Sequence, residues 1–211
     1  MTHGFDKDFW ERHWQQGRAG GPGSMGGNPP NPYLAQETSG LTPGTALDAG
    51  CGAGAEAIWL ASHGWHVTAA DISSGALARA AERAATSEAP ERLQWVEADL
   101  SVWNPDAQFD LVMTHYAHPA MPQLEFYDRI AGWVASGGTL LIVGHLHTPD
   151  STGHGHHPPA EASATSAAIT ARMDGMEWEI VTAEEHLRTL TGSGGREVPL
   201  HDVVVRATRR R

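Results

Sequence analysis

The run Leu47-Asp48-Ala49-Gly50-Cys51-Gly52-Ala53-Gly54-Ala55-Glu56 sets three alternating glycines between a short apolar stretch and a stretch able to form a helix. Residues 45–49 suit a strand. Residues 55–63 suit a helix that stops at Gly64, since glycine commonly follows a helix C-terminus. A turn this tight needs residues without Cβ where the backbone bends and where another group comes close to it. The helix that follows directs unpaired N–H groups, and the positive end of its dipole, at whatever sits there. The stretch therefore reads as a binding loop for a nucleotide-type cofactor.

Strands and helices alternate after it. Strands are expected at 66–70, ending at Asp71; at 93–97; at 109–114, ending at His115; and at 139–144, ending at His145. Helices are expected at 74–86, capped by Ser73 or Ser74, and at 122–134, opened by Pro122 and closed by Gly137-Gly138. This spacing predicts a mostly parallel sheet with helices on both faces, and right-handed crossovers make it a doubly wound, Rossmann-like α/β fold. Residues 161–173 are Ala-rich and read as helical. Two closing strands, 178–182 and 203–207, separated by a short helix at 183–190, bring the sheet to seven strands. Ahead of the core, residues 5–16 form a helix with Phe9, Trp10, His13 and Trp14 along one side. A Gly/Pro/Asn-rich segment, 17–32, follows as a lid loop, then a short helical or extended piece with Tyr33, Leu34 and Glu37. No repeat or linker divides the 211 residues. A single domain is expected, with a helix and lid at 1–40, a cofactor-binding core at 45–145, an insertion over the acceptor pocket at 146–175 and closing strands at 176–211.

A formal charge of −11 and a single lysine, Lys7, leave no basic surface for a phosphate backbone, so no nucleic-acid partner is expected. The Arg209-Arg210-Arg211 tail reads as a frayed end. No run approaches the ~20 apolar residues of a membrane span, and the N-terminus lacks an apolar core of signal-peptide length. Cys51 is the one cysteine, which excludes an internal disulfide. The expectation is a cytoplasmic protein without membrane contact, monomeric or homodimeric.

Glycine spacing alone leaves two cofactors open, because Gly50-x-Gly52-x-x-Ala55 also satisfies the dinucleotide fingerprint. The acids decide. Asp48 lies two residues before the first glycine, Asp71 ends the second strand and Asp99 follows the third. Three carboxylates suit a ligand carrying a sulfonium and an ammonium, and they repel a pyrophosphate. With Asp110-Leu111-Val112 in the fourth strand, residues 45–143 resemble the class I methyltransferases that use S-adenosylmethionine. The resemblance implies that Asp71 holds the ribose hydroxyls, Ile72 covers an adenine face, and Asp99 and Leu100 meet the adenine edge. Gly50, Cys51 and Gly52 would pass along the methionine moiety, with Asp48 reaching its ammonium through water. Cys51 is read as a small filler rather than a nucleophile. Trp14 and His115 are further cofactor-contact candidates.

The acceptor is read from the carboxyl ends of the strands, where open α/β sheets carry their chemistry. Enzymes that methylate exocyclic amines of DNA or of protein glutamine carry an Asn/Asp-Pro-Pro-aromatic motif after the fourth strand. Here that stretch is Thr114-His115-Tyr116-Ala117-His118-Pro119. The opening, Trp10-Glu11-Arg12-His13-Trp14-Gln15-Gln16-Gly17, is similar to that of the thiopurine and thiol/halide methyltransferases. Asn31-Pro32-Tyr33-Leu34 resembles the lid of the tellurite-resistance methyltransferases. Both resemblances imply a small, soft acceptor, with a thiol favoured. A small-molecule O-methyltransferase, an NAD(P)-dependent oxidoreductase and a non-catalytic cofactor-binding protein are the alternatives. A thiol of pKa near ~8.5 needs only modest help to ionise, and His115, His118 or His145 would give it as general base. Trp10, Tyr33, Tyr116 and His147 are candidates for contact with the acceptor. His145-x-His147 and His154-x-His156-His157 invite a metal reading, but no Cys or carboxylate accompanies them at a familiar spacing, so no metal is expected.

Overall fold

The computed structural model describes residues 4–16, 29–146, 162–191 and 197–211. His147, His154, His156 and His157, and most of the 17–32 and 146–160 segments, lie outside these residues. Each expected strand up to β4 forms where the apolar runs put it: β1 Thr45–Ala49, β2 His66–Asp71, β3 Leu93–Glu97 and β4 Phe109–His115. Between them lie α3 Ala55–Ser62 and α4 Ser74–Ala84, preceded by α1 Lys7–Gln16 and α2 Pro32–Thr38. Ser73 caps α4, its hydroxyl accepting the Ala76 N–H at 3.1 Å.

Three expectations fail beyond β4. The helix expected over 122–134 is α5, Gln123–Ala131, and Val134 already belongs to β5, Val134–His145. Phe109 pairs with Val134 but Leu111 with Thr139, so the strand bulges. Gly137, at φ +80, turns the chain inside this bulge rather than closing a helix. The Ala-rich stretch gives only α6, Ser166–Thr170, capped by Thr165. Residues 183–190, expected as a helix, belong to β6, Trp178–Thr191, which pairs antiparallel along nearly its whole length with β7, Glu197–Arg209. That ladder outweighs the local helix propensity of Ala183-Glu184-Glu185.

The seven strands run in the order β3-β2-β1-β4-β5-β7-β6, with β7 antiparallel to both neighbours. Strand periodicity sorts the core onto two faces. Leu47, Val112, Leu140, Ile142, Val203 and Val205 pack with Phe126 and Ile130 of α5 and Ile169 of α6. Ala46, Leu111, Met113, Leu141, Val143 and Val204 pack with Leu34 of α2 and Ala57 and Leu60 of α3. The fold is thus the doubly wound, Rossmann-like sheet that the strand–helix alternation predicts. Among the described residues no helix is long and apolar enough to cross a membrane. Because β1 to β5 are parallel, Asp48, Asp71, Glu97, His115 and His145 all arrive at one edge of the sheet.

Candidate active site

The β1–α3 loop is the frame of that edge. Its glycines alternate into the left-handed region, Gly50 at φ +85 and Gly52 at +52. The Gly50 and Cys51 N–H groups both donate to the Ala70 carbonyl, at 2.8 and 3.0 Å, and the Gly52 N–H donates to Asp71 Oδ2 at 2.8 Å. The neighbours that exclude a Cβ here are side chains of this protein. One on Gly50 would collide with the Ala117 methyl, and one on Gly52 would stand 3.0 Å from the Trp14 ring. Gly50→Ala combines a left-handed backbone with that collision and is expected to lower the urea-unfolding free energy by roughly 2–4 kcal/mol. Cys51 is buried within the loop. Burial, then the charges of Asp71 and Asp48, push its thiol well up, in keeping with a filler.

Two of the three predicted acids, Asp48 and Asp71, meet at this loop with Glu56. Asp48 is 1% exposed, and its Oδ2 has no hydrogen-bond partner. Burial, followed by the charges of Glu56 and Asp71, raises its pKa well above the usual carboxylate range, while the Ala57 N–H of the first turn of α3 works the other way. Burial also raises Asp71, and the Ser73 and Gly52 N–H groups offset part of this. Asp99 is half-buried and accepts from the Ser101 N–H and hydroxyl at 2.9 and 2.7 Å. Glu56 Oε1 accepts the Asn31 N–H at 2.9 Å. On β4, beside β1, both ring nitrogens of His115 are sealed and partnerless, and burial lowers its pKa. An orphaned carboxylate oxygen and two orphaned imidazole nitrogens at adjacent strand ends, ringed by acids, fit a polar ligand with a cationic end. They do not fit a pyrophosphate. In this arrangement both His115 nitrogens are shut off from solvent.

Helix α1 lies across this loop. Glu11 accepts the Ser74 N–H and hydroxyl at 2.7 and 3.0 Å, at the start of α4. Burial raises its pKa, but the bonds from Ser74 more than compensate and the net effect is a lowering. Trp14 is buried against Gly52 and Ala53, with the Arg79 guanidinium 5.6 Å from its ring centre. Lys7 pairs with Glu97 at the end of β3, and Trp10 Nε1 donates to the His118 carbonyl at 3.2 Å.

The acceptor-side candidates meet beyond β4 and β5. The His118 ring is tilted 6.1 Å from that of His145 and 5.7 Å from Phe5. Tyr116, the only described non-glycine residue with positive φ, stacks on His145 at 4.1 Å. Its hydroxyl accepts from Arg188 Nη2 at 3.1 Å and from Asn31 Nδ2 at 3.2 Å. Burial lowers His118 and takes His145 down to about 4, helped by the neighbouring His118 and opposed by Asp202. Tyr33 donates to Asp202 Oδ2 at 3.2 Å. Sequence reasoning did not single out Glu11, Asn31, Glu56, Gln123, Arg188 or Asp202. Asp202 is the one that left a signal: an acid heading the apolar run Val203-Val204-Val205 has to find a partner. It is fully buried, paired with Arg188, and its Oδ1 faces His145 Nδ1 at 3.9 Å.

Comparison with known proteins identifies the family. A methyltransferase-domain family model matches residues 46–138. A probable thiol methyltransferase 2 of Arabidopsis thaliana is 32% identical over 162 residues, 74% of this chain and 68% of the relative. Thiocyanate methyltransferase 1 of Brassica oleracea is 33% identical over 106 residues, 50% of this chain and 46% of the relative, so the match spans less than half of that protein. The N-methyltransferase NodS from Bradyrhizobium japonicum WM9, solved with S-adenosylhomocysteine, shares the fold with a TM-score of 0.68 at 17% identity, over 95% of this chain and 98% of that one. The loop, its acids and these relatives agree, and the chain belongs to the class I S-adenosylmethionine-dependent methyltransferases, similar to their thiol methyltransferases.

Proposed function

We propose that the enzyme methylates the sulfur of a small thiol. S-adenosylmethionine supplies an electrophilic methyl group on a sulfonium. On the cofactor side Asp71 takes the ribose hydroxyls, Ile72 covers an adenine face, and Asp99 and Leu100 meet its edge. Gly50 to Gly52 run beside the methionine moiety, where Asp48 and His115 offer their unpartnered atoms. Trp14 closes the loop from above and excludes water.

The observation that carries the acceptor assignment is the pair of imidazoles, His118 buried and His145 half-buried, among Phe5, Trp10 and Tyr116. The nearest cation, Arg188, is committed to Asp202, so the walls are aromatic and neutral on balance. They suit an uncharged small molecule whose sulfur ionises at the moment of reaction. Because burial depresses both histidines, they are neutral bases throughout the neutral range. A thiol needs little more than that. Holding sulfur and methyl in line supplies most of the remaining acceleration, on the order of 7–11 kcal/mol. The relatives named for thiol and thiocyanate methylation support the choice of a soft nucleophile.

The test is product formation from matched thiols and phenols, alongside thermal shifts with S-adenosylhomocysteine and NADH. S-adenosylhomocysteine is expected to raise the melting temperature and NADH to leave it in place, with methyl thioethers formed at least tenfold faster than methyl ethers. Faster turnover of the phenols would replace the thiol reading by O-methylation.

A further inference from the structure

Of the two imidazoles one must face the acceptor with a lone pair, and the hydrogen bonds around Gln123 identify which. Gln123, the first residue of α5, is buried, and its Nε2 donates to the Ala117 carbonyl at 3.0 Å. A carbonyl only accepts, so this bond fixes which end of the amide is nitrogen. Oε1 is then the atom 3.2 Å from His118 Nδ1. An amide oxygen accepts only, so Nδ1 carries the ring proton. The remaining nitrogen, Nε2, holds the lone pair, and unlike the two nitrogens of His115 it is not among the sealed, partnerless atoms of the site. His118, 8% exposed as a residue, is thus held in the tautomer protonated at Nδ1.

The surroundings keep it uncharged until it acts. Gln123 faces it from α5. His145 faces it from β5, itself neutral and stacked on Tyr116. Phe5, just ahead of α1, stands against the ring, and the α1 residue Trp10 bonds its carbonyl. The charged pair Asp202 and Arg188 stands behind His145. Burial favours the neutral ring and the Gln123 bond acts in the opposite direction. For His145, burial first, then His118 and Arg188, disfavour the charged form, against Asp202.

We propose that Gln123 is a positioning residue that presents Nε2 of His118 as the proton acceptor for the incoming thiol. This rests on the thiol reading above and names the base within it. The S–H bond breaks and its proton passes to Nε2, while the electron pair left on the thiol sulfur forms the new bond to the methyl group, whose bond to the sulfonium breaks with its electrons kept by the departing sulfur. Nδ1–H stays bonded to Gln123 Oε1, which the positive ring strengthens, and the proton leaves to solvent after the product.

The tautomer can be read without turnover. In the free wild-type protein, long-range proton–nitrogen NMR of the histidine rings should show His118 with a protonated Nδ1 and a bare Nε2. Gln123→Ala should shift it toward the Nε2-protonated form that histidine prefers in water. In assays, Gln123→Ala should lower kcat about tenfold with KM little changed, a part of the roughly 100- to 10,000-fold that a positioned base supplies. Gln123→Glu should keep the tautomer and move the acidic limb of the rate profile up by about one pH unit or more, because a carboxylate favours the charged ring. A wild-type spectrum with Nε2 protonated overturns the inference, whatever the enzyme methylates. So does a Gln123→Glu profile superimposable on that of the wild type. If instead the tautomer stands and no thiol is turned over, the acceptor assignment fails and the position of the imidazole proton does not. Because the first reading needs no variant, loss of folding in Gln123→Ala leaves the test intact.

Discussion

Asp48→Asn is expected to make the free protein more stable and the cofactor complex weaker. The folded state holds the Asp48 carboxyl protonated to a higher pH than its ordinary value of 3.8, because burial and the charges of Glu56 and Asp71 disfavour the anion. For an acid with a raised pKa, the folded state binds the proton more tightly than the unfolded state does. Stability is therefore complete below 3.8 and falls as the pH rises toward the folded pKa. At neutral pH the chain bears that cost, and asparagine does not. A gain of about 1–2 kcal/mol, the scale typical of relieving a strained functional site, corresponds to a rise of roughly 2–8 °C in melting temperature. The gain should shrink as the pH is lowered to 4, where Asp48 takes up its proton. Affinity for S-adenosylhomocysteine should fall by about tenfold or more, the worth of a hydrogen bond to a charged group. Differential scanning fluorimetry across pH, with calorimetric titration of the cofactor product, measures both halves. A variant that is less stable at pH 7 and binds equally well would contradict the assignment of Asp48 to the cofactor.

Arg188→Met should be the most destabilising change on the acceptor side. Asp202 is 0% exposed, and Arg188 is the one cation paired with it among the described residues. Removing one member of a buried pair strands the other charge and typically costs about 3–5 kcal/mol, or roughly 6–20 °C at this size. The Tyr33 bond to Asp202 remains, but a phenol does not replace a guanidinium. Arg188→Met combined with Asp202→Asn should recover most of the loss, since no charge is then buried alone. Urea unfolding of the two single variants and the double variant gives the coupling energy directly. If Arg188→Met alone lost less than about 1 kcal/mol, the pair would be worth no more than an exposed ion pair and the expectation would fail.

The parts legible in the sequence are those where local chemistry and tertiary packing agree. Gly50 and Gly52 are required by backbone angles that glycine adopts without strain, and Asp71 ends a strand where an acid serves the loop. Beyond β4 the two levels part. Gly137-Gly138 looks like a helix stop, yet it is the crossing of a bulge forced by pairing with Phe109 and Leu111. Glu184-Glu185-His186-Leu187-Arg188 looks like an exposed helix, yet it is an edge strand held by β7. Gln123 and Arg188 are ordinary residues in ordinary sequence. What gives them a role is a partner five or fourteen positions away, His118 or Asp202, and no period or motif marks that. The cofactor loop is a local device. The acceptor side is an assembly of distant pieces.

Helix α1 spans the cofactor loop on fastenings to several different pieces of the chain: Lys7 to Glu97, Glu11 to Ser74, Arg79 to the Trp14 carbonyl, Trp14 to Gly52 and Trp10 to the His118 carbonyl. No single one is strong, and the Lys7 pair is exposed to salt screening. Together they make the helix a clasp over the cofactor loop. Lifting these ten residues is the motion that would uncover the loop beneath them. The cover rests on a small cluster of its own, Trp14 with Ala53 and Ala76, apart from the two large cores of the sheet.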